Sequence, residues 1–325
     1  MRPFSHVFAC DSEPASRSWL SFHIPHRHLF SDVHGDFTQR MAHADMYTDV
    51  LSAGFPCQPY SANGKGQGLL DERNRALTIF PLLEYIKLQQ PRVVMLENVA
   101  GLLRQHKATL IAILEALKSI RDNATGGKCY AVSYRLLNTQ NFNVPQHQER
   151  VYIVCIKLCG RRTVPFTWPT GRQRTLSLSE CFDADRRQLA TYNDYPTFSS
   201  GTVQKNVAGA LQKLRQLAQA RNVRAEDIAA ILDSGSSRLN VGIDSCPCLT
   251  HSRCKASGFL SMQHGSPLTI SEMLRLQGFT AIDISTMNLD VVAPGALRGM
   301  IGNAFSKCVC TEVLKAAIAA AEAAA

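Results

Sequence analysis

Two residues of this 325-residue chain could do covalent chemistry together: a thiol in Pro56-Cys57-Gln58 and a carboxylate in Glu97-Asn98-Val99. Each follows a short apolar run, Val50 to Phe55 in the first case and Val93 to Leu96 in the second. A Cys that ionises is a nucleophile, and an acid beside it can hold or deliver a proton. Taken singly, each has a plainer reading. A lone Cys after a strand is usually a small buried hydrophobe, and a lone Glu there is usually a surface carboxylate. Paired at two strand ends, where open α/β sheets bind ligands, they make a candidate active site.

The elements that must position them are legible as an alternation. Strand-like runs cover Val7 to Cys10, Val50 to Phe55, Val93 to Leu96, Tyr130 to Leu137 and Val151 to Leu158. Between them Leu110, Ile113, Leu114 and Leu117 mark a helix with one apolar face. Strands alternating with helices predict an α/β fold with a doubly wound, mostly parallel sheet, Rossmann-like in type. Beyond Cys159 the pattern changes to loop punctuation at Trp168-Pro169, Tyr195-Pro196 and Ser199-Ser200-Gly201. A helix is predicted over 206–220 and a short one over 225–232. The Ala-rich tail from Val313 is strongly helix-forming.

Composition bounds the function. The net charge of +9 suits a polyanionic partner. Arg161, Arg162, Arg172, Arg174, Arg186 and Arg187 concentrate part of that charge after the last predicted strand. No apolar run approaches the length that crosses a bilayer, and the N-terminal residues lack a signal-peptide apolar region. An intracellular protein is expected, nuclear in a eukaryote and cytoplasmic in a bacterium. Eleven cysteines at irregular spacing read as reduced thiols, and no metal site is expected.

The wording around the two residues carries a resemblance. Ala53-Gly54-Phe55-Pro56-Cys57-Gln58-Pro59-Tyr60-Ser61 and Leu96-Glu97-Asn98-Val99-Ala100-Gly101-Leu102-Leu103 resemble motifs IV and VI of the cytosine-C5 DNA methyltransferases. The segments 144–154, 268–279 and 301–306 are similar to motifs VIII, IX and X, and Val7-Phe8-Ala9-Cys10-Asp11 and Gly35-Asp36-Phe37-Thr38 to motifs II and III. The resemblance implies a methyl transfer from S-adenosyl-L-methionine to C5 of a cytosine flipped out of duplex DNA. It assigns Cys57 to attack C6, Glu97 to N3 and Arg150 to O2. The cofactor would be held by Asp11 on its ribose hydroxyls, by Asp36 and Phe37 on the adenine side, and by Asn303 and Ala304. The glycine run Asn63 to Gly68, with Asp71 and Arg73 after it, would form a mobile lid. Asp11 could equally cap a helix.

The implied organisation is a catalytic and cofactor-binding domain over 1–158 plus 268–325, and a smaller irregular target-recognition region over 159–267. Three departures stand out. Gln148 occupies a position where the family has Arg, and Ser306 one where it has Pro. No Phe-x-Gly-x-Gly turn of motif I is present, since the only glycine before Gly54 is Gly35. The expectation is therefore a chain lacking its N-terminal edge, poor at holding cofactor alone and open to a complementing N-terminal segment or subunit. Two rivals remain: a non-catalytic nucleic-acid-binding or regulatory fragment, and a tRNA cytosine-C5 methyltransferase. The Cys-Phe-Thr signature of the latter is not evident, because Cys181-Phe182-Asp183 lies far upstream of Leu268.

Overall fold

The computed structural model describes residues 4–61, 68, 71–72, 74–171 and 175–324. The expected lid residues 63–67, Arg73, Arg172 and Arg174 lie outside the described residues. The chain divides into two compact units, Met1–Leu137, Glu149–Thr170 and Cys310–Ala325 in the first, Asn138–Gln148 and Gly171–Val309 in the second.

The first unit is α/β. Strands β1 (His6–Cys10) and β2 (His26–Phe30) pair in parallel across helix α1 (Pro14–His23), which Pro14 opens at its first turn. Helix α2 (Asp36–Arg40) leads to β3 (Val50–Gly54), and α3 (Ile79–Gln89) ends at Gln90, whose φ of 49° turns the chain into β4 (Val93–Val99). Helices α4 (Gly101–Arg104) and α5 (Lys107–Ser119) precede β5 (Tyr130–Asn138) and β6 (Glu149–Lys157). The expected apolar face Leu110, Ile113, Leu114 and Leu117 is the buried face of α5.

A four-stranded sheet has the order β3-β4-β6-β5. The β3–β4 pairing is parallel, as βαβ units require, and β4–β6 is antiparallel. Six consecutive residues of β4, Val93 to Asn98, are buried, which is why this strand reads as a continuous apolar run rather than as an alternation. The β1–β2 pair is anchored by rings: Phe8 packs against Phe37 at 5.4 Å and Tyr85 of α3 at 5.3 Å, and Phe37 against Phe30 at 5.5 Å.

The second unit opens with α6 (Gly201–Arg221). The Ser200 hydroxyl caps its start by accepting from the Val203 amide, and Asn222 closes it at φ 52°. Strands β7 (Ala230–Asp233) and β8 (Val241–Ile243), helix α7 (His251–Lys255), β9 (Phe259–Ser261) and β10 (Ser266–Pro267) follow. Their sheet, in the order β10-β9-β7-β8, is antiparallel throughout. This region is thus more regular than its loop-rich sequence suggests. The helix expected over 225–232 gives way to a short turn and strand β7. Ile228-Ala229-Ala230-Ile231-Leu232 is apolar at every position and buried, so no period distinguishes the two states.

Helices α8 (Ile270–Leu276), α9 (Ala281–Ser285) and α10 (Pro294–Asn303) complete this unit, and α11 (Lys307–Ala323) runs through the Ala-rich tail. Compactness divides the chain elsewhere than the composition does. The 268–309 segment groups with the second unit because its polar side chains are spent there. Arg275 Nη1 binds Asp183 Oδ1 at 2.7 Å, and Arg186 pairs with the buried Glu272. From Cys310 onward the chain joins the first unit, where Arg92 Nη2 donates to the Ala321 carbonyl at 3.1 Å.

Candidate active site

In the parallel register of β3 and β4, Gly54 lies opposite Glu97, so both strands present their carboxyl ends together. The chain leaves β3 through Phe55, which is buried, and turns at Cys57, whose carbonyl accepts from the Tyr60 amide at 2.9 Å. The turn residues Gln58–Tyr60 carry Pro59 near the start, which presets the backbone. Asn98, buried, ties this turn to β4: its amide Nδ2 donates to the Phe55 carbonyl at 3.1 Å, and its Oδ1 accepts from the Val99 amide at 2.9 Å. Gly101 matters for the same reason. A side chain there would collide with the Tyr60 carbonyl, so only glycine lets α4 approach the turn that displays Cys57.

Glu97 is 8% exposed. Arg150, on the adjacent antiparallel strand β6, places Nε 3.0 Å from Glu97 Oε1. Burial pushes the Glu97 carboxyl up to about 7 against the opposing pull of Arg150. Tyr152 stands opposite Glu97 in register and burial holds its hydroxyl well above its ordinary pKa, so it stays neutral beside the acid. Arg150 also donates from Nη1 to the Glu149 carbonyl at 3.0 Å, and the Glu149 side chain is held by Arg104 at 2.9 Å. The structure therefore joins Glu97 and Arg150 directly and sets the Cys57 turn at the end of the strand beside them. This arrangement can hold a proton at neutral pH next to a fixed cation.

The remaining expected residues fall into two places. At the carboxyl end of β1, Asp11 Oδ1 accepts from the Glu13 amide at 2.8 Å. At the end of β2, the Asp36 carboxylate accepts from the amides of Ser31, Asp32 and Phe37 at 3.2, 3.2 and 3.0 Å, and from the Ser31 hydroxyl at 3.4 Å. Burial opposes the Asp36 charge, but these backbone donors outweigh it and its pKa is lowered. Those four bonds use the acceptor sites of the carboxylate, so Asp36 shapes the loop after β2. Burial, then the charges of Asp36, Asp11 and Asp32, push the Cys10 thiol up to about 12, which places three carboxylates around these strand ends. Phe37 is 2% exposed and its ring is taken up by the core. Asn303 and Ala304 belong to the second unit, where Asn303 is exposed at the end of α10 and the Ala304 carbonyl accepts from Gln277 Nε2 at 3.3 Å.

The departures have physical consequences. The Gln148 carbonyl accepts from the Thr139 amide at 3.0 Å, but its side-chain amide, 1% exposed, has no partner among the described residues. Ser306, also buried, donates its hydroxyl to the Gln277 carbonyl at 3.4 Å. Cys181 and Asp183 are structural: their oxygens hold Arg275, and Asp183 accepts from the Thr269 hydroxyl. Of the basic cluster, Arg186 is spent on Glu272, Ser266 and Pro267, while Arg162 and Arg187 are exposed. Sequence reasoning did not single out Asn98 or Gly101 as positioning residues, although both stand within the Glu97 motif.

Comparison with known proteins agrees with this geometry. The family model for the C-5 cytosine-specific DNA methylases matches residues 3–319. The chain is 32% identical over 238 residues to the Type II methyltransferase M.NgoBI of Neisseria gonorrhoeae, covering 71% of this chain and 63% of that protein. It is 42% identical over 122 residues to M.BsuFI of Bacillus subtilis, covering 37% of this chain and 27% of that one. The chain thus spans less than two thirds of the length of these relatives. Among solved structures, a prophage-encoded DNA modification methyltransferase of E. coli superposes with a TM-score of 0.62 at 15% identity, over 97% of this chain and 92% of that one. The S. pombe Dnmt2 methyltransferase does so with 0.57 at 12% identity, over 98% and 92%. These structures share the fold, and the matched family model places the chain in the C-5 cytosine-specific DNA methylase family.

Proposed function

We propose that the chain transfers a methyl group from S-adenosyl-L-methionine to C5 of cytosine in DNA. The observation that carries this reading is the buried Glu97–Arg150 pair at the strand end beside the Cys57 turn. A thiolate at Cys57 adds to C6 of a flipped cytosine, forming the Cys57–C6 bond and moving electron density onto C5. Glu97, with its carboxyl raised to about 7, is protonated often enough at neutral pH to hydrogen-bond N3 and favour that addition. Arg150, already fixed by Glu97, offers a cationic donor to the charge that builds on O2.

For the cofactor, the donor set at the ends of β1 and β2 is of the right chemistry. Asp11 retains acceptor capacity for ribose hydroxyls, while Asp36 orders the loop that would flank the adenine. When bound, the sulfonium supplies the methyl group. The second unit, with exposed Arg187 and the antiparallel sheet, is the part we assign to reading DNA, and the protein is assigned to the intracellular compartment that holds the DNA. A complementing apolar strand ending in a glycine turn also fits. Among the described residues β1 and β3 belong to separate sheets, each with a partner on one side only.

The test is covalent trapping on duplex DNA carrying 5-fluorocytosine in the presence of S-adenosyl-L-methionine. A stable protein–DNA adduct through the Cys57 peptide is expected. An adduct on tRNA alone, or DNA binding with no adduct when cofactor binding is demonstrated, would overturn the reading.

A further inference from the structure

Beyond the pair at Glu97 and Arg150, a second arginine acts on the Cys57 turn. The turn Arg75–Thr78 packs against the turn Gln58–Tyr60 that begins directly after Cys57. Arg75 is clasped at its base by Asp71, which is 4% exposed. Its backbone amide and Nε both donate to Asp71 Oδ2 at 3.0 Å, and Nη2 donates to Oδ1 at 2.5 Å. Asn74, at φ 55° in the left-handed region, brings the chain back so that the two side chains meet, and the Asn74 amide bonds the Asp71 carbonyl at 2.8 Å. A bidentate clasp of this kind fixes both the position and the plane of a guanidinium.

We propose that Arg75, oriented by Asp71, is a positioning residue that sets the ionisation of Cys57. This rests on Cys57 being the nucleophile. The Arg75 guanidinium lies within electrostatic range of the Cys57 thiol, and its own pKa is raised, chiefly by the Asp71 hydrogen bond and in smaller part by Cys57. A fixed cation near a thiol favours the thiolate, the form that attacks. Asp71 on the same turn opposes this with its own charge, and its two oxygens are occupied by Arg75, so the pair presents the arginine as the orienting partner. Glu97 and Arg150 are the other charged groups at the neighbouring strand end, and they are engaged with each other.

The experiment measures iodoacetamide alkylation of the Cys57 peptide by mass spectrometry as a function of pH, in the parent chain, Arg75→Gln and Arg75→Lys. The half-maximal pH should rise by about one unit in Arg75→Gln. Arg75→Lys should recover most of that shift, because it keeps the charge and loses only the second hydrogen bond. A merely structural role would change the unfolding temperature without moving the alkylation profile. Should Arg75→Gln not fold, the parent at 1 M salt against low salt gives the same reading, because screening of Arg75 must raise the profile. An unmoved profile in the folded variant, or in high salt, overturns the proposal. Loss of 5-fluorocytosine trapping with a normal shift on Arg75→Gln would instead count against the proposed function, so the two failures are distinguishable.

Discussion

Arg150 reaches from β6 to set its Nε 3.0 Å from Oε1 of Glu97 on β4, one step diagonally across an antiparallel register in which Glu97 faces Tyr152 and Val99 faces Arg150. Burial still wins over that cation and keeps the carboxyl near 7. Glu97→Gln keeps the shape and a hydrogen-bonding group but cannot exchange a proton. Turnover should fall roughly a hundredfold or more, within the range of a lost general acid, while DNA affinity stays nearly unchanged. Single-turnover kinetics beside an electrophoretic shift would show it. Equal losses in both would assign Glu97 to binding instead.

The same pair makes a pH statement about stability. The Glu97 carboxyl titrates at about 7 in the fold against 4.5 unperturbed, so the unfolded state loses its proton first. Its favourable contribution is full below about pH 4.5 and is lost as pH rises through about 7. The unfolding temperature of the parent should therefore drop more steeply from pH 5 to pH 8 than that of Glu97→Gln. Arg150→Ala should steepen the drop further and cost about 3 kcal/mol at pH 8, where a buried carboxylate is left alone. Parallel curves for parent and Glu97→Gln would refute the assignment.

How far the site could be read from sequence depends on the residue. Cys57 and Glu97 were visible because each ends an apolar run, and a strand that is buried along its length cannot hide that pattern. Helix α5 was visible because its four buried positions repeat at the helical period. Strand β7 was not, because a five-residue apolar stretch carries no period. Phe37 shows another limit. Its neighbours suggested a cofactor contact, but only the three-ring packing with Phe8, Phe30 and Tyr85 reveals where the ring goes. The Arg186–Glu272 pair spans a sequence separation of 86, and no local pattern announces it.

Gly101 tests how tightly the Cys57 turn must be held. Gly101→Ala puts a methyl into the Tyr60 carbonyl, so either α4 or the turn must shift. Methyl transfer should fall by more than tenfold, as small misplacements of a reacting group usually cause. The unfolding temperature should fall by only a few degrees. Activity retained at the parental level would show that the turn is not positioned by this contact.

Gln148 offers a prediction of the opposite sign. Its side-chain nitrogen and oxygen are both buried and lack partners among the described residues, in contrast to Gln146 two residues earlier. Gln146 donates to the Leu276 carbonyl at 2.6 Å and accepts from the Leu249 amide at 3.2 Å, so its burial is compensated. An unsatisfied buried polar group costs about 1–3 kcal/mol, and an apolar side chain of similar length removes that cost. Gln148→Met should therefore stabilise the chain by about 1 kcal/mol, whereas Gln146→Met should destabilise it by a comparable amount or more, since it strands the Leu276 carbonyl and the Leu249 amide. Denaturant unfolding of both variants against the parent decides the matter. If Gln148→Met unfolds at lower denaturant than the parent, the amide is bonded in solution, and the strand entering β6 owes its position to a hydrogen bond rather than to packing.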